Sequence, residues 1–273
     1  MRRSLVSALL LAFASPDAGA YLMVDGNAVA ALDSWGFSGN SFDGNVISFD
    51  SGTTDQLYEM YGYLGNATSV VRVNPTHFSE LTAINGAGGT ASSQLMLNAT
   101  GAAALGLSTG DITLDYSFVL DGATRSLVWD VDVTSASAST LDLVFYAYAD
   151  FDLEGSAGND LATGGPAGFQ VTDGGTGLDV TFSSSTVADR FEIGPWPVLQ
   201  STLDAMEGVG AADLANTGSP FGPSDFTGAL QFDFSLAPGG SQGFGMTLIP
   251  EPTTAFQLAL GLLGLAIAGR RRA

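Results

Sequence analysis

Hydrophobic and polar residues alternate along several short segments of the chain, which is the pattern of strands with one buried and one solvated face. In Ile112–Leu120 the apolar residues recur at every second position, and Asp121-Gly122 follows as a strong turn signal. The alternation resumes in Leu127–Val133. Together these segments predict a β-hairpin.

Similar runs predict about ten short strands in the chain. Besides the hairpin they are Val46–Phe49, Gln56–Leu64, Ser69–Val73, Gln94–Ala99, Leu141–Ala149, Phe169–Thr172, Leu178–Phe182, Leu230–Leu236 and Phe244–Ile249. We expect one helix at Thr202–Gly208, with Ser201 as its N-cap, and surface loops in the Gly/Ala/Ser-rich stretches 85–93 and 101–110. Short strands joined by Gly, Asp and Pro turns predict an all-β fold, a jelly-roll-like antiparallel β-sandwich.

The N-terminus has the layout of a secretory signal peptide. Arg2-Arg3 precede the apolar stretch Leu5–Ala14, and Ala18-Gly19-Ala20 offers a cleavage site of small residues before Tyr21. We therefore exclude residues 1–20 from the folded domain.

The C-terminus combines three features in a fixed order. Pro250, Glu251 and Pro252 precede an apolar run at 255–268, and the basic residues Arg270, Arg271 and Arg272 follow it. A helix over 253–269 would be about 25 Å long, slightly short of a hydrocarbon core of about 30 Å. The arginines would hold its end in the cytoplasm. An ordinary membrane anchor or a buried helix is the alternative, but a buried helix leaves the three arginines unexplained.

This C-terminal arrangement resembles the PEP-CTERM sorting signal, which is processed by an exosortase, a membrane-embedded transpeptidase-like enzyme. The resemblance divides the chain into a signal peptide at 1–20, a β-sandwich domain at 21–248 and a sorting signal at 249–273. It implies export across the inner membrane of a Gram-negative-type bacterium to the cell surface or the extracellular space. The implied partners are the secretion machinery and an exosortase, with transient insertion of the tail into the inner membrane.

The charge of the chain excludes one class of partner. The formal net charge is −20, and 26 of the 28 acidic residues but only three of the eight arginines lie between the two signals. Nucleic acid is an improbable partner for such a domain, because phosphate binding needs many Lys or Arg side chains. There is no cysteine, so disulfides and thiol chemistry are excluded as well.

The sharpest cluster of candidate ligands is acidic. Asp150, Asp152 and Glu154 occupy alternate positions before Gly155, and Asn159 and Asp160 follow shortly after. Ca²⁺ takes six to eight oxygen ligands, and alternate residues of a tight loop can point several carboxylates inward. The pattern therefore makes these five residues a candidate calcium site.

Two observations limit this interpretation. An EF-hand requires a bidentate Glu at loop position 12, whereas that position is Leu161. Alternatively, the acids form the solvated face of a strand that runs on past Ala149, with Phe151 and Leu153 facing the core. Asp130 and Asp132, with Asp115 as a candidate neighbour across the hairpin, form a second acidic patch that a cation could bridge or water could solvate.

Support for catalysis is weak, and we assign no catalytic residue. His77 is the only histidine, and no nucleophile motif surrounds it. Trp35 and Trp196 are candidates for stacking on sugar rings; Trp196 lies between two prolines that would present the ring rigidly, and core packing is the alternative for both.

The expected function is that of a non-enzymatic surface or extracellular-matrix protein, which the PEP-CTERM resemblance associates with exopolysaccharide and biofilm. The first alternative is a calcium-dependent carbohydrate-binding module with Trp35 or Trp196 in the site. The second is a secreted glycoside hydrolase, which needs only two positioned carboxylates.

Overall fold

A computed structural model of the protein describes residues 21–26, 28–32, 36–37, 47–48, 59–153 and 158–250. The strands are β1 (Tyr21–Asp25), β2 (Ala28–Leu32), β3 (Gly36–Phe37), β4 (Ile47–Ser48), β5 (Glu59–Gly65), β6 (Val70–Arg72), β7 (Phe78–Ala87), β8 (Thr90–Leu97), β9 (Ile112–Asp121), β10 (Ser126–Ser135), β11 (Leu141–Phe151), β12 (Asp160–Gly165), β13 (Gly168–Asp173), β14 (Asp179–Ser184), β15 (Arg190–Pro195), β16 (Phe226–Leu236) and β17 (Ser241–Pro250). The helices are α1 (Ala99–Leu105) and α2 (Val198–Asp204).

Two large antiparallel sheets make up most of the described chain. One has eight strands in the order β12-β13-β14-β17-β10-β9-β8-β7, and the other has the order β15-β16-β11-β5-β3, with β6 also paired to β5. A small third sheet has the order β1-β2-β4. The prediction of an all-β antiparallel sandwich is thus confirmed.

The predicted hairpin is present as β9 and β10. Its register places Trp129 opposite Phe118 and Asp132 opposite Asp115, so the apolar positions share one face and the aspartates share the other. Trp129 and Phe118 are both buried. The period of two in the sequence therefore fixes which face of this sheet enters the core.

Aromatic side chains from both sheets meet in the interior. Phe145 on β11 stacks on Phe244 of β17 with ring centroids 5.4 Å apart, and it lies 6.4 Å from the ring of Trp129. Further along β11, Phe151 meets Phe182 of β14 edge-on at 5.8 Å. Such rings bury large apolar areas, and they join the two sheets into one core.

The outer face of the six-stranded sheet is also covered. Tyr61 and Tyr63 on β5, together with Tyr146 and Tyr148 on β11, pack there against α2 and are buried. The Gln200 amide donates to the Tyr61 hydroxyl at 2.7 Å. As a result, β11 is buried on both of its faces.

Several details differ from the predictions. The stretch 85–93, expected to be a loop, contains the turn of the β7–β8 hairpin, and much of 101–110 is helix α1. The side chain of Asn98 caps α1 by accepting from the backbone N–H groups of Thr100 and Gly101. Helix α2 begins four residues before the predicted start, and Ser201 lies inside it, its N–H donating to the Pro197 carbonyl.

The two terminal signals lie largely outside the described residues. Strand β17 extends through Ile249 to Pro250, which is buried and paired with Val180, two residues beyond the predicted domain end. Glu251 to Ala273, including the expected sorting helix, are not described. Within the described ranges no helix is both long and apolar enough to span a membrane.

A glycine in the aromatic layer provides a test of this packing. A Cβ at Gly62 would lie 2.6 Å from Cζ of the buried Phe145 ring, whereas a Cβ at Gly165 has no neighbour within 4 Å. We expect Gly62→Ala to destabilise the protein by about 1–3 kcal/mol through overpacking, and Gly165→Ala to have little effect. Urea denaturation measures both. Equal midpoints for the two variants would contradict the described contact.

Candidate functional site

The end of β11 carries a buried acid. Asp150 follows Tyr146 and Tyr148 on the outer face of the strand, and the register sets it between Glu59 of β5 and Thr227 of β16. The residue is 3% exposed. The alternative that the sequence suggested is correct that Phe151 and Leu153 face the core. It is wrong about Asp150, because this acid is buried and not solvated.

Three aspartates converge at this point. Asp150, Asp152 and Asp225 each place a carboxylate oxygen within 4.8 Å of the other two. Asp225 directly precedes β16, whose first residue Phe226 pairs with Phe151 at the end of β11. We call Asp150, Asp152 and Asp225 the aspartate cluster. It is the one group of potential metal ligands found in the described residues.

The other predicted calcium ligands have different positions. Asp160 borders the cluster, and one of its carboxylate oxygens accepts the Leu153 N–H at 3.2 Å. The Asn159 amide instead donates to Asp173 at 3.1 Å. Glu154 lies outside the described residues. The sequence analysis missed Asp225, because only the pairing of β16 with β11 brings this distant residue to the site.

The electrostatics of the cluster are unfavourable in the absence of a cation. Burial, reinforced by Asp152, Asp225 and Glu59, raises the pKa of Asp150 to about 8. Burial, with a contribution from Asp225, raises the pKa of Asp152 to about 6. The pKa values of Asp225 and Glu59 are also raised, mainly by burial. Removing a carboxylate from water disfavours its charged form, and neighbouring negative charges add to that cost.

One carboxylate oxygen of Asp150 is buried and has no hydrogen-bond partner among the described residues. A buried polar atom without a partner carries most of its desolvation cost. The same holds for one oxygen of Asp160. The site therefore contains two buried carboxylate oxygens that accept no hydrogen bond from the described residues.

An exposed aromatic residue adjoins the aspartate cluster. The main-chain N–H of Trp196 donates to the carbonyl of Asp225 at 3.4 Å, and the preceding Pro195 pairs with Phe226. Trp196 is 48% exposed, so it is not a core residue. Trp35, the second predicted stacking residue, lies outside the described residues. The main chain of an exposed tryptophan therefore lies beside Asp225 of the aspartate cluster.

His77 has a structural position. It is 4% exposed, with Nδ1 lying 3.2 Å from the Arg72 carbonyl and Nε2 3.2 Å from a carboxylate oxygen of Glu207. Both ring nitrogens therefore have hydrogen-bond partners within the protein.

The second predicted acidic patch lies on the outer face of the eight-stranded sheet. Asp130 and Asp132 are exposed, and their carboxylates lie over Gly245 and Gly243 of the neighbouring strand β17. The Gln94 amide donates to Asp115. Since none of these acids is buried, water can solvate this patch.

A cavity of about 600 Å³ opens at the other end of the outer face of the six-stranded sheet. Its lining includes Asp142, Asp213, Gln231 and Asp233. The Gln231 amide donates to both Asp213 and Asp233, and Arg190 pairs with Asp213 at 2.6 Å. The acids that line this cavity thus already have partners, so we regard the aspartate cluster as the stronger candidate site.

Several solved structures resemble this protein in fold. An Escherichia coli K12 protein assigned as an aldose 1-epimerase matches 85% of this chain and 98% of its own length, with a TM-score of 0.55 and 10% identity. A galactose mutarotase-like protein from Clostridium acetobutylicum matches 87% of this chain and all of its own, with a TM-score of 0.52 and 9% identity. A bacterial glucoamylase complexed with acarbose matches 92% of this chain but 35% of its own, with a TM-score of 0.58 and 12% identity.

No protein-family model matches the chain, and no curated protein matches it either. The structural matches establish a common fold. They overturn the expectation of a non-enzymatic surface or matrix protein associated with exopolysaccharide, because the chain shares the architecture of aldose 1-epimerase-like and galactose mutarotase-like proteins.

The raised pKa values predict how stability depends on pH. The native state holds a proton on Asp150 up to a pKa of about 8, whereas an unfolded aspartate loses it near pH 4. Because the native state binds more protons in this interval, the free energy of unfolding must fall as the pH rises from about 4 to 8. Asp152 and Asp160, with pKa values of about 6 and 7, act in the same direction.

In chelator we expect the protein to lose at least about 1.4 kcal/mol between pH 5 and 8, the equivalent of one pKa unit. Asp150→Asn should reduce that loss, while the exposed-patch variant Asp132→Asn should leave it unchanged. Urea titrations at several pH values provide the measurement. A flat profile for the wild type would show that Asp150 is solvated.

Proposed function

We propose that this protein is carbohydrate-active and binds a sugar at the aspartate cluster beside Trp196. The observation that carries the proposal is the buried, incompletely bonded carboxylate of Asp150 in a cluster whose Asp225 accepts a main-chain hydrogen bond from the exposed Trp196. Carboxylate oxygens accept hydrogen bonds from sugar hydroxyls, and an exposed indole offers an apolar face to the C–H side of a pyranose ring. The fold shared with aldose 1-epimerase-like and galactose mutarotase-like proteins supports this substrate class.

Removal of the indole tests the binding site. We expect Trp196→Ala to weaken binding of D-glucose, D-galactose or a maltooligosaccharide at least tenfold, equivalent to about 1.4 kcal/mol. Isothermal titration calorimetry of the full-length protein measures this affinity.

Val209→Ala serves as the matched control, because Val209 is 77% exposed. The next residue, Gly210, lies against Ala67, which follows the end of β5 that is opposite Glu59. If Trp196→Ala and Val209→Ala bind these sugars as well as the wild type does, the sugar site is elsewhere.

The candidate reaction is the interconversion of sugar anomers. A base takes the proton of the anomeric hydroxyl while an acid protonates the ring oxygen, the C1–O5 bond breaks to give the open-chain carbonyl, and closure on the other face reverses these steps. The match to nearly the whole of an aldose 1-epimerase-like protein favours this reaction. It needs general acid–base groups, which carboxyl groups can supply.

Anomer exchange can be followed directly. We expect the full-length protein to accelerate the equilibration of freshly dissolved α-D-glucose or α-D-galactose, measured by proton NMR, above the rate in buffer. Binding without acceleration would identify a carbohydrate-binding module in place of an epimerase.

For the location we propose export and processing of the C-terminal tail, on the basis of the PEP-CTERM resemblance. Pro250 belongs to β17 and is buried, so its replacement would disturb the domain. The double variant Glu251→Ala/Pro252→Ala spares that strand. We expect it to retain the intact tail by mass spectrometry, whereas the wild type is shortened in its native host. A wild-type mass that includes residues 253–273 would contradict the proposal.

A further inference from the structure

We propose that Asp150, Asp152 and Asp225 bind a divalent cation, with Ca²⁺ favoured. Ligand oxygens bind Ca²⁺ at about 2.3–2.6 Å, so oxygens around one ion can be separated by up to about 5 Å. The three carboxylates place oxygens within 4.8 Å of one another, which lets a single ion contact all three. The donor set is oxygen alone, as hard cations require.

The independent support is the state of Asp150. Its carboxylate is almost wholly buried, and one of its oxygens has no hydrogen-bond partner among the described residues. The charged groups that act on it, Asp152, Asp225 and Glu59, are all acidic. A proton could neutralise Asp150, but a cation neutralises several of these carboxylates at once and also gives the unpaired oxygen a ligand bond.

None of the three arginines of the described domain neutralises the aspartate cluster. Arg190 pairs with Asp213 at the far cavity, and the Arg72 guanidinium lies 3.6 Å from the centre of the Tyr61 ring. Arg125 lies in the turn between β9 and β10. A cation from solution is therefore the available counter-charge.

The proposed ligands differ from those of the calcium loop expected from the sequence, because Asp225 joins Asp150 and Asp152. The site is not one contiguous loop, since Asp150 ends β11 with Phe151, Asp152 follows that strand directly, and Asp225 directly precedes β16. Three carboxylates supply only part of a shell of six to eight ligands. Water can fill the remaining positions; if the proposed sugar site is correct, adjacent hydroxyls of a sugar beside Trp196 can replace that water.

Calorimetry of the full-length protein with CaCl₂, after removal of metal by chelator, tests the cation alone. We expect one Ca²⁺ per chain, a rise of several degrees in the melting temperature with excess Ca²⁺, and loss of both effects in Asp152→Asn and in Asp225→Asn. Asp132→Asn in the exposed patch is the matched control and should bind as the wild type does. Calcium binding that persists unchanged in both cluster variants, or no calcium binding by the wild type, would overturn the proposal.

Asp150→Asn gives a second test that does not depend on the folding of the other variants. In chelator at pH 8 it should melt at a higher temperature than the wild type, because it removes a buried charge from repulsive neighbours. In excess Ca²⁺ the order should reverse, because the wild type alone gains the full ligand set. An unchanged order in the two conditions would refute the cation site.

The sugar proposal and the cation proposal can fail separately. Calcium binding without any sugar affinity would leave the cation site in place and remove the sugar site. Sugar binding that survives in chelator and in Asp225→Asn, but is lost in Trp196→Ala, would retain the sugar site and refute a cation in it.

Discussion

The structure depends on one strand that is buried on both faces. In β11, Phe145 and Phe151 point into the sandwich core, while Tyr146, Tyr148 and Asp150 point to the outer face that α2 and the residues after it cover. The same alternation that secures the core therefore carries an aspartate out of water. Because a shift of one residue would exchange the two faces, Asp150 cannot leave its position without loss of the aromatic core.

This constraint distinguishes the acids of the protein from one another. Many acidic side chains lie on the surface or accept hydrogen bonds, as Asp132 and Asp213 do. Their charge costs little in water and contributes to solubility. Asp150 differs because its neighbours on both adjoining strands and at the start of β16 enclose it, and several of them are acidic. Its negative charge is therefore unfavourable in this position, and a proton or a cation can neutralise it.

The cover over the outer face and the proposed site are parts of one arrangement. Helix α2 is attached to the sheet by the bond between Gln200 and Tyr61 and by the Tyr63 hydroxyl, which donates to Asp204 at 2.8 Å. Trp196 precedes this helix and contacts the backbone of Asp225. The packing that buries the tyrosines thus also holds the main chain of Trp196 against that of Asp225.

The sequence alone determined the strand class and the β9–β10 hairpin, because period-two alternation and turn chemistry are local properties. It offered the core-facing positions of Phe151 and Leu153 as one of two alternatives, which the structure decided. It also identified Asp150 and Asp152 as neighbours, since they are two residues apart. It did not reveal helix α1, where the Asn98 cap and an alanine-rich segment outweighed the loop-like composition. Only the tertiary structure brought Asp225 to Asp150 and the main chain of Trp196 to Asp225, and only it decided that Asp150 is buried. Those relations depend on the order of strands in a sheet and on what covers it, and pairing between distant segments leaves no periodic signal in a single sequence.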